Sequence, residues 1–235
     1  MKEMIRNYED VLDMLDSLLR EPAEFWNGFY NDREKGVPFF ENIPDENLVG
    51  YFKNGWLRPR RVLELGCGPG RNAIYLAKQG CQVDAVDLSE ESLKWAHERA
   101  RAEEVDIHFM NENLFELNVE PSTYDLVYDS GCFHHIAPHR RMDYIKLLKK
   151  ALIPGGFYGL TCFKEKGEYG GADISDWEVY RSRSLLGGLG YSERKLREIF
   201  SGFSSREIRE MEDRRQTSNV FGVPGLLTAL FQKEI

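Results

Sequence analysis

The sequence predicts an α/β fold: a seven-stranded, mostly parallel sheet with helices on both faces and an antiparallel closing strand. Three observations carry this. From Arg61 onward short apolar runs alternate with amphipathic helical patterns, as strands buried on both faces require. The first run leads into a glycine-rich turn, "GCGPG" (Gly66 to Gly70), and a helical pattern opens near Arg71. The last two runs, "SSREIREM" and "GLLTALFQ", are joined by about 13 residues, too few for a helical crossover, so they pair antiparallel.

Ahead of the sheet, Val11, Leu12, Leu15, Leu18 and Leu19 recur at helical spacing, and Glu21-Pro22 ends that helix. The stretch "FWNGFYNDREKGVPFF" (Phe25 to Phe40) reads as an aromatic-rich loop punctuated by glycine and proline. A second helix is expected from Asp45 to about Asn54. The strands follow as "RVLEL", "QVDAV" from Gln82, "DIHFM" from Asp106, "YDLVY" from Tyr124 and "FYGLTCF" from Phe157. Between the second and third lies "SEESLKWAHERARAE", with Ser89 as N-cap and acids in its first turn. A Gly-rich, aromatic-spotted insertion covers about 164–191, and Ser192 caps the helix after it. The expected organisation is a helical and aromatic cover over 1–57 and the sheet domain over 58–235. There is no internal repeat and no low-complexity tract.

Composition narrows the function. A chain of 235 residues with 42% hydrophobic and 30% charged residues has enough core without staples. A net charge of −8 argues against a nucleic-acid backbone as partner, which needs clustered Lys and Arg. Cys67, Cys81, Cys132 and Cys162 form no CxxC pair, so neither a disulfide framework nor a zinc ribbon is expected. The opening "MKEMIRNYEDVLDMLDSLLR" lacks the apolar core of a signal peptide, and no apolar run approaches the roughly 18 residues of a membrane span. A cytoplasmic protein is expected, with no membrane partner, as a monomer or homodimer.

The glycine turn carries the chemistry. Glycine permits positive φ and close approach of backbone to a ligand at the carboxyl ends of the strands. The dinucleotide fingerprint is GxGxxG; here the spacing is GxGxG, and Pro69 removes an N–H that a phosphate would use. The turn suits a nucleoside whose tail is not a phosphate, although a tight strand-to-helix turn of purely structural purpose has the same appearance. The second strand ends at Asp87, where a carboxylate can accept both ribose hydroxyls of an adenosine. The third ends in "MNENLF", whose Asn113 amide can read an adenine edge or merely close a turn. Three successive strand ends thus supply suitable groups.

Together "VLELGCGPG", "VDAVDLS", "NENLF", "YDLVYDSGCFHHI" and "LIPGGFYGL" resemble successive motifs of the class I S-adenosylmethionine-dependent methyltransferases. The resemblance covers Arg61 to about Phe163 closely and is nearest to the thiopurine and tellurite-resistance small-molecule enzymes. It implies a Rossmann-like methyltransferase fold, with S-adenosylmethionine as cofactor and a small-molecule methyl acceptor as partner. It places Gly66, Gly68 and Gly70 along the methionine portion, Asp87 at the ribose and Asn113 at the adenine, with Glu64, Leu88 and Leu114 also among the cofactor-binding residues. Many members carry Asp where this chain has Asn113. Asp129 would face the methionine amino group or the acceptor, and Trp26 and Phe40 would lie over the cofactor.

Methyl transfer from a sulfonium needs alignment and a dry, aromatic-lined pocket more than a strong acid or base. Phe25, Trp26, Phe29, Tyr30, Phe39 and Phe40 suit that pocket, though they equally suit pinning the N-terminal helices. His134 and His135 are the candidate bases for a hydroxyl, amine or thiol. With Cys132 and His139 they also raise a zinc site, which adjacent residues without supporting carboxylates disfavour, so no metal is expected. Arg181 and Arg183 are candidates for an anionic acceptor or a solvated surface. A nucleic-acid aminomethyltransferase is disfavoured by Asp129-Ser130-Gly131-Cys132 in place of [DNS]PP[YF]. A nicotinamide-dependent oxidoreductase is disfavoured by the turn spacing, and a non-catalytic S-adenosylmethionine-binding protein stays open.

Overall fold

A computed structural model describes residues 4–215 and 219–234. Three helices come first: α1 (Tyr8–Asp16), α2 (Pro22–Asn31) and α3 (Glu46–Lys53). Then β1 (Arg61–Leu65), α4 (Arg71–Lys78), β2 (Gln82–Asp87), α5 (Glu90–Ala102) and β3 (His108–Asn111) alternate. They are followed by β4 (Tyr124–Ser130), α6 (Arg141–Ala151), β5 (Leu152–Phe163), α7 (Asp176–Ser182), α8 (Glu193–Ile199), β6 (Ser204–Glu210) and β7 (Leu226–Gln232). The strands form one sheet in the order β3-β2-β1-β4-β5-β7-β6. All neighbours are parallel except β7, which runs antiparallel to both β5 and β6.

That order has a consequence for ligands. From β1 the chain winds outward to β2 and β3, then returns to place β4 on the other side of β1. The crevice at the carboxyl ends of β1 and β4 is therefore the topological switch point, where open α/β sheets bind ligands. Leu65 pairs with Asp129 there, so the turn from Gly66 emerges beside Ser130.

Each face of the sheet has its own core. Val62, Leu126 and Tyr128 pack with Leu48, Tyr51, Ile74 and Leu76 on one side. Leu63, Leu65, Val127, Tyr158 and Leu160 pack with Tyr144, Leu148 and Phe200 on the other. Two buried faces explain why β1 is apolar on both sides apart from Glu64, each fully covered Leu contributing roughly 2 kcal/mol.

Several expected boundaries move. α1 ends at Asp16, and the chain turns at Ser17, whose hydroxyl bonds Met14 O. The segment read as an aromatic loop instead contains α2. Pro22 suits its first turn, and Glu21 accepts from the backbone N–H groups of Ala23 and Glu24 at 3.2 and 2.6 Å. Packing of Phe25, Trp26, Phe29 and Tyr30 then outweighs the low helix propensity of Gly28. β5 begins earlier than Phe157, at Leu152, with a register shift against β4. The insertion over 164–191 holds α7. Among the described residues no helix is long and apolar enough to cross a membrane.

Candidate active site

The turn after β1 is held in the left-handed region at alternate residues, with φ of +66° at Gly66, +52° at Gly68 and +80° at Gly70. Gly66 is fixed by a neighbour: a Cβ there would lie 2.5 Å from that of Cys132, on the turn after β4. Gly68 is fixed by another, since a Cβ would lie 2.9 Å from the Tyr30 hydroxyl of α2. The backbone N–H groups of Gly66 and Cys67 both donate to Val86 O, at 2.8 and 3.0 Å. Asp87 completes the turn, accepting from Gly68 N–H and Ser89 N–H at 2.8 Å each. Burial raises the Asp87 pKa above its ordinary value while these amides oppose the rise. Each carboxylate oxygen retains acceptor capacity for a hydroxyl.

Helix α2 lies across this edge as a roof. Asn27 Oδ1 accepts from Ser89 Oγ at 3.0 Å and Glu91 N–H at 3.3 Å, at the start of α5. The preceding residue, Trp26, meets His135 edge-on, ring centroids 4.8 Å apart. Tyr30 touches Gly68. Phe40 does not reach the turn; it stacks behind Tyr30 at 5.6 Å and meets Trp95 at 5.1 Å. Of the two aromatics expected over the cofactor, Trp26 packs on the turn after β4, while Phe40 packs behind Tyr30, the ring nearest Gly68.

Asp129 requires a correction. It is fully buried on the α6 face, accepting from Tyr144 Oη at 2.5 Å and from the N–H groups of Cys132 and Phe133 at 2.9 and 3.2 Å. Burial pushes its pKa up to about 7. Both of its carboxylate oxygens are engaged in shaping the turn after β4. Ser130, next along, accepts from Arg71 Nη2 at 2.9 Å. Arg71 also donates to Ile43 O at 3.1 Å and pairs with Asp45 Oδ1 at 2.6 Å, both buried. Asp45 in turn accepts from Tyr128 Oη at 2.7 Å and Asn72 Nδ2 at 3.2 Å. Glu64 lies buried nearby with Oε2 lacking a partner, and desolvation raises its pKa well above the carboxylate range against the pull of Arg71.

Asn113 is half-buried, and its Oδ1 accepts from Phe115 N–H at 3.1 Å, closing the turn after β3. Leu88 and Leu114 are half-buried alongside. Asn111 donates to the carbonyls of Asp87 and Leu88 at 3.1 Å each, which fixes the end of β2.

The two histidines have separate roles. His134 is buried, stacked on Phe163 at 3.8 Å, and its Nδ1 accepts from Phe163 N–H at 3.1 Å. That bond uses the lone pair of the neutral ring, so His134 is a strut at the end of β5 and not a base. His135 Nδ1 is buried without a partner, and burial, then the nearby Arg20 charge, lowers its pKa to about 3. Arg181 is 73% exposed and pairs with Glu178 of its own helix, while Arg183 forms the exposed left-handed C-cap of α7. Neither stands at the crevice. Among the described residues no group of three or more His, Cys, Asp or Glu is arranged to hold a metal.

Sequence reasoning placed Tyr30 among the pocket aromatics but missed Asn27, Arg71 and Asp45 as parts of this site. The one available signal was the arginine directly after the last glycine, a buried charge at the first turn of a helix.

Comparison with known proteins agrees with this geometry. Residues 62–156 match the model of a methyltransferase domain family. An uncharacterized methyltransferase of Schizosaccharomyces pombe is 39% identical over 124 residues, 53% of this chain and 83% of the relative. The probable S-adenosyl-L-methionine-dependent methyltransferase TehB of Haemophilus influenzae is 30% identical over 101 residues, 43% of this chain and 35% of the relative. Among solved structures, one reported for conversion of a disulfide bond into a thioacetal group during echinomycin biosynthesis superposes with a TM-score of 0.71. It is 23% identical, over 90% of this chain and 91% of that one, a similarity of fold.

Proposed function

The chain belongs to the class I S-adenosylmethionine-dependent methyltransferases, and from that premise we propose that it methylates a small-molecule acceptor by in-line displacement. The observation that carries the small-molecule reading is the α2 roof, whose consecutive residues Asn27 and Trp26 bond Ser89 and pack on His135. A roof of that kind admits a compact molecule and obstructs a duplex or a protein surface. S-adenosylmethionine supplies the methyl group, on a sulfonium. The residues fit such a group: a turn that tolerates no Cβ at Gly66 or Gly68, an Asp87 carboxylate with free acceptor capacity, and an orphaned oxygen on buried Glu64. The three glycines with Glu64 would hold the methionine part, Asp87 the ribose, and Leu88, Asn113 and Leu114 the adenine.

The chain's own contribution is positioning and exclusion of water. Trp26 and Tyr30 wall the crevice, and aromatic faces stabilise a nearby cation by roughly 0.5–2 kcal/mol. His135, neutral across physiological pH, holds the acceptor by hydrogen bonding. A base with so low a pKa removes a proton poorly from an alcohol, so acceptors that ionise readily or react neutral, thiols and amines, are favoured. Residues 1–57 act in this reading as the cover and 58–235 as the methyltransferase domain. Release of S-adenosylhomocysteine over a panel of thiols, amines, phenols and aliphatic alcohols tests it. Turnover with thiols or amines is expected; cofactor binding without turnover on any small molecule would overturn it.

A further inference from the structure

A second cavity lies on the far side of the aromatic layer from the glycine turn, and its chemistry differs from that of the crevice. It has a volume of about 530 Å³ and opens between the segment after α2, helix α5 and the loop joining β6 to β7. Phe40, Trp95 and Phe221 supply aromatic surface, and Arg33, Lys35, Arg214 and Arg215 supply positive charge. Glu41 is the one acid among the described residues that line it. Three of these cations are paired at the rim, with Glu98, Glu212 and Asp213, so the charge of the cavity is a set of exposed ion pairs.

We propose that this cavity is a binding site for a planar aromatic carboxylate, separate from the methyl-transfer crevice. Its volume falls within the range of small-molecule pockets, which combine aromatic walls with a few polar groups. The guanidinium groups already have partners: Arg33 bonds Glu98 at 2.5 Å, Arg214 bonds Glu212, and Arg215 bonds Asp213 at 2.6 Å. All these side chains are solvent-exposed by a third or more. Exposed pairs of this kind are weak, so a carboxylate entering the cavity can share or replace the acid. The planar body is selected by the rings. Trp95 already carries the guanidinium of Arg99 at 4.1 Å and that of Arg33 at 5.3 Å, so its environment is electropositive as well as flat.

Two contacts separate this site from the crevice. Phe40 stacks on Tyr30, which in turn reaches Gly68. Phe221 lies against Arg71, 4.4 Å from ring centre to guanidinium, and Arg71 bonds Ser130. A ligand here would bridge the segment that follows the roof to the β6–β7 loop without displacing anything at the glycine turn.

The test uses the full chain and 2-naphthoate as probe, with 2-naphthamide as its uncharged isostere. Calorimetry is expected to give binding of naphthoate about tenfold tighter than of the amide. The double variant Arg33→Gln/Arg215→Gln should weaken naphthoate by about tenfold or more at unchanged melting temperature, and Trp95→Leu should weaken both probes. Saturating S-adenosylhomocysteine should not displace naphthoate. Equal binding of acid and amide, indifference to the double variant, or displacement by S-adenosylhomocysteine would each overturn the proposal, the last by placing the probe in the crevice.

Discussion

Asp87 and the histidine pair show how single residues divide the labour. Asp87 braces the glycine turn and is the proposed ribose ligand, two tasks that substitution can separate. Asp87→Ala should weaken S-adenosylhomocysteine binding by about 2–3 kcal/mol in calorimetry, through loss of charge-assisted bonds. Asp87→Asn keeps one acceptor oxygen and should lose less; equal affinity in all three proteins would remove Asp87 from the site. For the histidines the effects should cross. His134→Ala leaves Phe163 N–H unpaired and empties a stacked, buried position, so it should cost about 2–4 kcal/mol in urea unfolding. His135→Ala should spare most of the stability and lower turnover. The tight glycine turn and the place of Asp87 beside it were legible because they sit at fixed spacing on consecutive strand ends. Asp129 was not, because adjacent strand residues point to opposite faces. Tyr128 meets Asp45, Asp129 meets Tyr144, and local sequence does not say which face is the open one.

Among the elements, α2 departs most from what the sequence suggested and matters most to the proposed activity. Its glycine and following polar run read as a loop, while its helical character comes from the Glu21 cap and from aromatic packing that exists only in the tertiary structure. The strands' existence and order were legible, since burial on both faces of the central ones leaves mostly apolar runs, while the starts of β3 and β5 moved. Among the described residues, the polar and aromatic ties of α2 to the crevice are two, besides the packing of Tyr30. Asn27 to Ser89 and Glu91 is one, and Trp26 to His135 is another. An element held this way over a ligand crevice opens more readily than the sheet beneath it. S-adenosylhomocysteine is therefore expected to slow amide exchange across Trp26 to Phe40, and Asn27→Ala to speed that exchange in the free protein. Identical exchange with and without ligand would make α2 a static brace.

At the scale of the whole molecule, titratable groups buried around the switch point oppose one another in their effect on stability. Asp129 has its pKa raised to about 7 from 3.8, so the folded protein binds the extra proton between those values. Its contribution is fully present below about pH 3.8 and is lost as pH rises through 7. Glu64 and Asp87 are shifted in the same direction. His135, lowered to about 3 from 6.5, acts oppositely: its contribution is present above 6.5 and is lost as pH falls toward 3, and His134 is lowered as well. Wild-type stability between pH 4 and 7 is therefore a difference of opposed slopes, and its own profile reveals little. The comparison that isolates Asp129 is Asp129→Asn, which keeps an oxygen for the amides of Cys132 and Phe133 while removing the proton. Tyr144 retains Tyr158 Oη at 3.0 Å as a partner in that variant. Relative to Asp129→Asn, the wild type should lose roughly 1 kcal/mol per pH unit in urea unfolding as pH rises from 5 to 7. A difference that stays constant across those pH values would mean that Asp129 is ionised throughout, with the Tyr144 hydrogen bond outweighing burial.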